Sequence, residues 1–156
     1  MKIAVASDER TQLTSTVISE LQKRGHTLNL FGPISEAEDH DADWPLTSSK
    51  AAEAVARGEA DEGIVFCWTG TGASIAANKV AGIRAALCQD AETARGARKW
   101  NHANVLAISL RTTSEAIVKE ILEAWFDTPF LEDEWNVTQI ARIRDLEKRR
   151  GLKGKS

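Results

Sequence analysis

Short apolar runs alternate along this chain with segments whose apolar residues recur every three or four positions. The runs occupy residues 3–7, 27–32, 63–68, 83–88 and 104–110. Several of them are almost continuously apolar, which is typical of strands that are buried on both faces of a parallel sheet. The pattern therefore predicts five strands.

Helical periodicity marks the segments between these runs. We predict helices over residues 12–24, 48–57, 73–79, 91–100 and 114–126. In the last of these, Ile117, Ile121 and Trp125 recur at four-residue spacing, so the spacing predicts that all three are buried. Alternating strands and helices predict an α/β protein, a three-layer α/β/α domain with a five-stranded parallel sheet that covers residues 1–156.

A further helix is predicted over about residues 136–150. Its apolar residues form a narrow stripe, at Val137, Ile140, Ile143 and Leu146. Such a stripe indicates that the helix packs against another surface, either on its own chain or on a partner subunit. We expect the partner subunit.

The ligand site of a parallel α/β sheet lies at the carboxyl ends of its strands. Polar residues and glycines gather at these ends, notably Ser7, Asp8 and the stretch from Cys67 to Gly72. The acidic segment 33–49 is long for a connection, so we expect a mobile loop near this site.

Composition excludes several classes of function. A net charge of −3 and a pI near 5.7 are unlike those of proteins that bind nucleic acid. No apolar run has the length of a membrane span, and the first residues become polar too early for a signal peptide. Two cysteines, Cys67 and Cys88, do not form a disulfide framework in a chain of this size. We expect a cytoplasmic protein with reduced thiols.

The sequence Cys67-Trp68-Thr69-Gly70-Thr71-Gly72 follows the third predicted strand and opens a helix. A glycine-rich turn at a helix start directs backbone N–H groups at one point, where they bind a phosphate, a carboxylate or a developing oxyanion. The turn lacks the Gly-Lys-Ser/Thr of a phosphate loop and the complete dinucleotide fingerprint, so nucleotide binding is disfavoured. A thiol at such a turn is stabilised as thiolate. The alternative is that Cys67, like Cys88, is a buried structural cysteine.

The stretch "CWTGTGASIAANK" followed by "GIRAALC" resembles the sugar-phosphate isomerase family that contains ribose-5-phosphate isomerase type B and the galactose-6-phosphate isomerase subunits. The opening "MKIAVASDE" and "EILEAWFDTPF" near the other end are similar as well. The resemblance implies a Rossmann-like domain and an aldose–ketose isomerase that works through an enediolate. It implies no cofactor and no metal, and a homodimer or dimer of dimers whose active sites use residues of both subunits.

The same resemblance implies roles for individual residues. Cys67 matches the base and Thr69 the residue that assists proton transfer on the oxygens. Asp8 and Asn101 match positions that hold sugar hydroxyls, and Arg111 matches a phosphate-contacting arginine. The backbone N–H groups expected to form the anion hole belong to Gly70, Thr71, Gly72 and Ser74.

Departures from the family pattern are concentrated in the expected site. Glu9 and Trp100 stand where the family has histidines, the second of which is credited with opening the sugar ring. His102 replaces an acidic residue, and Trp68 replaces a glycine. Cationic positions near the C-terminus are lost, and this chain has instead Trp135, Asn136 and Gln139.

A phosphate dianion favours two or three cationic donors, so these losses predict an atypical substrate. We expect an unphosphorylated or open-chain sugar, such as a four-carbon keto sugar that cannot cyclise, or a phosphosugar held differently. The expected substrate-binding residues are Asp8, Glu9, Trp68, Trp100, Asn101, His102 and Arg111.

Two alternatives remain open from the sequence. The lost histidine and arginines are also compatible with a non-catalytic homologue that binds a small sugar or acid. The chain could equally be one subunit of a hetero-oligomeric isomerase, with the missing groups supplied by a different chain.

Overall fold

The structure, a computed structural model, describes residues 1–36, 43–149 and 151. Within these residues five strands form a single parallel sheet in the order β2-β1-β3-β5-β4. The strands are β1 (Lys2–Ser7), β2 (Thr27–Phe31), β3 (Glu62–Cys67), β4 (Ala85–Leu87) and β5 (Val105–Ser109). The predicted five-stranded parallel sheet is confirmed.

The helices follow the strands in the predicted alternation. They are α1 (Gln12–Lys23), α2 (Trp44–Ala56), α3 (Thr71–Ala77), α4 (Ala91–Asn101), α5 (Glu115–Asp127) and α6 (Glu134–Arg149). A short 3-10 turn, Gly32–Ile34, follows β2. Among the described residues, no helix is both long enough and apolar enough to cross a membrane.

Alternate side chains along the central strands enter two separate cores, because successive residues of a strand point to opposite faces of the sheet. Ile64 and Phe66 of β3 pack in the core that includes buried residues of α1, α4 and α5. Val65 and Cys67 face the other core, where small alanine side chains of α2 and α3 cover the sheet. Cys67 therefore lies on the face that α3 packs against. This arrangement is the predicted three-layer α/β/α domain.

The prediction of a loop over residues 33–49 is wrong at its C-terminal end. Residues 44–49 belong to α2, which begins four residues before its predicted start at Ser48. Asp43 caps this helix, and its carboxylate accepts the N–H of Leu46 at 3.0 Å. Residues 37–42 of the predicted loop lie outside the described residues.

One prediction about apolar stripes is wrong, and the other stays a prediction. In α5, Ile121 and Trp125 are fully buried, but Ile117 lies at the helix edge with 36% of its surface exposed. In α6 only Ile140 of the predicted stripe is buried in the chain's own body. The other three members remain exposed, namely Val137, Ile143 and Leu146.

Candidate active site

The strand order places the ends of β1 and β3 side by side at the point where the chain changes direction across the sheet. The chain passes from β1 outward to β2, then returns to add β3 on the other side of β1. Ligands of open α/β sheets bind in the crevice at such a switch point. A cavity of about 270 Å³ lies here, lined by Asp8, Trp44, Cys67, Trp68, Thr69, Thr71 and Gly72.

The turn between β3 and α3 is fixed by its own backbone. Gly70 has φ +76°, and its N–H donates to the carbonyl of Cys67 at 3.2 Å. The N–H of Leu110, just beyond β5, donates to the same carbonyl at 3.1 Å. A Cβ at position 70 would come within 2.9 Å of the carbonyl carbon of Ile108 and the nitrogen of Ser109. Glycine is therefore required both by the backbone angle and by the close approach of β5.

Cys67 ends β3 at the floor of the cavity. Only 5% of its surface is exposed. The backbone N–H of Ala73, in the first turn of α3, donates to Sγ at 3.4 Å. This donor holds the sulfur in one orientation beside the turn, as expected of a side chain that must reach one atom of a substrate.

Two of the four N–H groups predicted to form an anion hole are hydrogen-bonded within the protein. The N–H of Gly70 is already bonded to Cys67, and the N–H of Ser74 closes the first helical bond on Gly70 at 3.1 Å. Thr71 and Gly72 occupy the first two positions of α3, where N–H groups have no partner within a helix. These two groups border the cavity and are the donors available to an oxyanion.

The hydroxyl groups of Thr69 and Thr71 form a pair beside these donors. Their Oγ1 atoms lie 2.7 Å apart, and either can be the donor. Both residues are exposed at the cavity. The pair can therefore pass a proton or a hydrogen bond to a bound hydroxyl group without a change in the backbone.

Asp8 extends the site from the end of β1. Its Oδ1 atom is buried and has no hydrogen-bond partner among the described residues. Burial raises the pKa of this carboxyl, and the negative charge of Glu9 raises it further, against the opposing effect of a backbone hydrogen bond. Glu9 itself is exposed and is not part of the cavity lining.

Trp44 is a wall of the cavity that our sequence reasoning missed. It is the first residue of α2, and its ring lies so close to the turn that a Cβ at Gly72 would come within 2.9 Å of Cε3. A sequence signal did exist: Asp43 is a good N-cap residue, and Pro45 suits the first turn of a helix. The loop predicted over residues 33–49 includes these residues, so the helix start was not predicted.

A model of the family described as Ribose/Galactose Isomerase matches residues 3–143. The chain belongs to the ribose/galactose isomerase family. It is 42% identical to ribose-5-phosphate isomerase B of Escherichia coli over 138 residues, which cover 88% of this chain and 90% of that protein. It is 37% identical to D-erythrulose-4-phosphate isomerase of Pectobacterium atrosepticum over 131 residues, 83% of this chain and 85% of that one.

A solved structure agrees with these sequence matches. Ribose-5-phosphate isomerase B of Clostridium thermocellum has a TM-score of 0.87 and 38% identity, covering 96% of this chain and 99% of that one. The family resemblance is confirmed, and the chain is an aldose–ketose isomerase.

Trp100 and Asn101 of this isomerase lie apart from Cys67 within one chain. They end α4 and line a second, larger cavity of about 980 Å³, which β4, α4 and α6 enclose. Trp100 is half exposed and packs on its own helix, where a Cβ at Gly96 would come within 3.0 Å of its ring. The two cavities share no lining residue.

The side chain of His102 makes a hydrogen bond and a ring-stacking contact within the protein. It ends α4 in the left-handed region with φ 48°, and its side chain is buried. Its Nε2 lies 2.9 Å from the carbonyl of Leu131, and its ring stacks on Phe130 with centroids 4.6 Å apart. These contacts hold the end of α4 against the segment before α6, which is a role in the fold.

Trp68 and Arg111 are predicted binding residues that follow the carboxyl ends of β3 and β5. Trp68 lines the cavity with 54% of its surface exposed. Arg111 follows β5, the strand next to β3, and its backbone N–H donates to the carbonyl of Trp68 at 2.9 Å. Its side chain is exposed, so the guanidinium is free to approach a ligand at this edge of the sheet.

Cys88 does not line the cavity that contains Cys67. It is fully buried, and burial, followed by the charge of Asp90, raises the pKa of its thiol to about 12. The thiol therefore stays protonated at neutral pH. Among residues 1–36, 43–149 and 151, no group of three His, Cys, Asp or Glu side chains is arranged to hold a metal ion.

Proposed function

We propose that this isomerase interconverts the ketose and aldose forms of a four-carbon sugar phosphate, with D-erythrulose 4-phosphate as the first substrate to test. One observation carries the proposal. Sγ of Cys67 lies at the floor of a small cavity that two available backbone N–H groups border. A base beside an oxyanion site is the arrangement that proton abstraction next to a carbonyl requires.

In the proposed reaction the thiolate of Cys67 removes a proton from C1 of the ketose. The electron pair of the C–H bond forms the C1–C2 double bond, and the carbonyl electrons move to O2. The N–H groups of Thr71 and Gly72 bind this developing oxyanion. O2 then gains a proton, O1 loses one, Cys67 returns its proton to C2, and the aldose forms. The scheme needs no cofactor.

The size of the cavity supports a short substrate. Its volume of about 270 Å³ is near the lower end of the range for small-molecule sites, roughly 300–1,000 Å³. Two indole rings, those of Trp44 and Trp68, line it and shorten it. Aromatic walls of this kind pack against the C–H faces of a sugar chain.

The replacement of the family's ring-opening histidine by Trp100 also supports four carbons. In a tetrose 4-phosphate the terminal hydroxyl carries the phosphate, so neither isomer forms a furanose ring. Such a substrate does not need the histidine that Trp100 replaces in the family pattern. Asp8 and Cys67 are the titratable side chains in the cavity lining. The relative from Pectobacterium atrosepticum, named for this substrate, is consistent with the choice.

Arg111 is the proposed phosphate contact. Its exposed side chain follows β5, directly beside the strand that ends at Cys67. The positions of the family's C-terminal cations hold Trp135, Asn136 and Gln139 instead. We therefore expect a phosphate contribution that is smaller than three cations would give.

We further propose that two copies of the chain complete each site. Trp100 and Asn101 lie outside the Cys67 cavity of their own chain, and most of the apolar stripe on α6 is exposed. In a homodimer α6 would bury that stripe on the partner, and residues of α4 would reach the partner's cavity. Dimers with two-fold symmetry bury the same surface on both copies.

Mixing two inactive variants tests the shared site. Cys67→Ala and Asn101→Ala chains, unfolded together and refolded, should regain about a quarter of wild-type activity, since half of randomly formed dimers are mixed and each holds one intact site. A mixture that stays inactive, while each variant elutes as a dimer in size-exclusion chromatography, contradicts the proposal. Elution as a monomer would also contradict it.

The proposed chemistry also suggests where the enzyme works. Cys67 must be a reduced thiol to act as a base, and both cysteines are free in the structure. Thiols persist in the reducing cytoplasm. We therefore place this activity in the cytoplasm. Activity of the purified enzyme that survives in oxidising buffer without added reductant would argue against the assignment.

Proton exchange in deuterium oxide tests the proposed function. Wild-type enzyme should convert D-erythrulose 4-phosphate to the aldose and introduce deuterium at C1 of the ketose and C2 of the aldose, both seen by proton NMR. Cys67→Ala should abolish both signals, while the matched control Cys88→Ala keeps them. Full turnover by Cys67→Ala would refute the assignment of the base. Turnover of ribulose 5-phosphate in preference to the tetrose phosphate would refute the assignment of substrate length.

A further inference from the structure

The unpartnered carboxyl oxygen of Asp8 is a feature that the proton transfers of Cys67 leave unexplained. Oδ1 is buried without a hydrogen-bond partner among the described residues, yet Asp8 lines the same cavity as Cys67. A buried polar atom with no partner is costly to the folded state and calls for an explanation. Because Asp8 lines the cavity, rotation of its carboxyl group would bring this oxygen to a bound substrate, and a substrate oxygen would then provide the missing partner.

Aldose–ketose isomerisation requires two proton transfers on oxygen as well as two on carbon. The oxyanion O2 of the enediolate must gain a proton before the aldose can form. When the aldehyde forms at C1, the hydroxyl O1 must lose one. A single group that first donates and then accepts balances both steps, and the net reaction consumes no proton.

We propose that Asp8 is this proton carrier, a catalytic residue that donates to O2 of the ketose and then accepts the proton of O1. The inference rests on the isomerase function proposed above. In this scheme Asp8, at the end of β1, transfers the protons on the substrate oxygens. Cys67, at the end of β3, transfers the protons on the substrate carbons.

The surroundings of Asp8 suit this role. Burial and the charge of Glu9 raise the pKa of its carboxyl, which brings its protonated form closer to neutral pH than that of an ordinary aspartate. Efficient proton carriers have a pKa near the working pH. Glu9, on the same strand end, is the charged group that acts on this carboxyl, and Cys67 is the other titratable group in the cavity lining.

Thr69 is the competing candidate, since the family resemblance gives it the oxygen protons. Its Oγ1 is engaged with Oγ1 of Thr71 at 2.7 Å. A hydroxyl of ordinary acidity can relay a proton while it gives up another, but it cannot store one through a reaction step. A carboxyl can be protonated in one step and ionised in the next.

The enediolate either returns to the ketose or proceeds to the aldose, and the ratio of these two outcomes distinguishes the role of Asp8 from that of Cys67. Return to the ketose needs only the carbon proton, whereas progress to the aldose also needs both oxygen transfers. In Asp8→Asn the amide still donates a hydrogen bond to O2 but moves no proton. We expect aldose formation to fall roughly 100-fold or more, within the range of general acid–base contributions. Deuterium return to C1 of the remaining ketose should fall less, so that the ratio of return to conversion rises at least about tenfold.

The experiment follows both signals by proton NMR with D-erythrulose 4-phosphate in deuterium oxide, for wild type, Asp8→Asn, Asp8→Glu and Thr69→Val. Asp8→Glu, which restores a carboxyl, should restore the wild-type ratio even where the rate is lower. Equal losses of the two signals in Asp8→Asn would overturn the inference, and so would a raised ratio in Thr69→Val alone. Thermal melting verifies that each variant is folded. If Asp8→Asn is unfolded, the ratio of deuterium return to conversion in Asp8→Glu decides the question.

Failure of this inference is distinct from failure of the proposed function. If Cys67→Ala keeps its turnover, the proposed function is wrong whatever Asp8 does. If Cys67→Ala abolishes both signals and Asp8→Asn lowers them in parallel, the isomerase scheme stands and only the role of Asp8 is wrong.

Discussion

The indole ring of Trp44 lies directly over Gly72, so close that a Cβ at position 72 would come within 2.9 Å of ring atom Cε3. This contact joins the start of α2 to the turn that carries the available N–H groups. The ring therefore closes the cavity from one side and restricts the movement of the turn. Both effects favour a short substrate bound in one orientation.

Removing the indole of Trp44 should relax the selection of substrate length. Trp44→Ala enlarges the cavity, and we expect the ratio of kcat/KM for the four-carbon over the five-carbon ketose phosphate to fall roughly tenfold, about the value of one carbon in a pocket. Trp44→Phe keeps an aromatic wall and should retain most of the preference. A Trp44→Ala enzyme with an unchanged ratio would show that the ring does not select length.

Gly70→Ala should damage both stability and activity. The added Cβ would meet the backbone of Ile108 and Ser109 at 2.9 Å, and the residue would keep an unfavourable φ of +76°. Such backbone strain alone costs of the order of 1–3 kcal/mol. Urea unfolding monitored by tryptophan fluorescence measures the loss.

Gly82→Ala is the matched control for this change. Gly82 has φ +84°, but among the described residues nothing lies within 4 Å of the place that an added Cβ would take. We expect Gly82→Ala to lose only the unfolding free energy that the positive φ costs, because its added Cβ meets no other atom of the described residues. Its activity should be unchanged. Equal losses of unfolding free energy in the two variants would show that the approach of β5 to the turn is unimportant.

His102→Asn should affect the fold more than the reaction. Asparagine tolerates the left-handed backbone at φ 48°, but it loses the stacking on Phe130 and the hydrogen bond to Leu131. We expect a loss of about 1–2 kcal/mol in unfolding free energy and a kcat within about threefold of wild type, a difference of under 1 kcal/mol. A large loss of kcat with an unchanged melting temperature would restore His102 to the substrate-binding residues.

We expect the unfolding free energy to decrease in mild acid because of His26. Burial, and then the positive charges of the N-terminal amine and Arg24, lower the pKa of its imidazole in the folded state. The ring packs on Phe126, and its Nδ1 is buried without a partner among the described residues. Because the unfolded chain binds the proton more readily, the stabilising effect is present above the ordinary pKa of about 6.5 and is lost as pH falls below it.

Urea midpoints on either side of that ordinary pKa, at about pH 7.5 and about pH 5.5, measure this effect. The difference between the two midpoints should shrink in His26→Gln, which cannot be protonated. If the variant shows the same difference as wild type, other groups cause the acid sensitivity.

Much of the fold could be predicted from hydrophobic periodicity, because strands buried on both faces produce runs that are apolar at almost every position. The predicted strands at residues 3–7 and 63–68 are displaced by only one residue from β1 and β3. The sequence does not place the start of α2 at Trp44 because Asp43 and Pro45 occur in loops as well as at the start of a capped helix. Ile117 was placed in the core because spacing alone does not show where a helix face turns to solvent.

The candidate site was predictable to the extent that its chemistry is local. Cys67 and the glycine turn lie in one short stretch, and their geometry follows from a strand that passes directly into a helix. The contacts of His102 and the position of Trp44 could not be predicted in this way, because their partners, Leu131 and Gly72, lie 29 and 28 residues away along the chain.

The sequence by itself therefore determined the sheet and the glycine turn that follows Cys67, since each depends on neighbours along the chain. Only the tertiary structure decided that Asp8 and Trp44 join Cys67 in one cavity, while Trp100 and Asn101 line another. The order of strands in the sheet sets those distances. That order is fixed by packing between segments that are remote in sequence, because each helix must cover the apolar face of strands it does not adjoin along the chain.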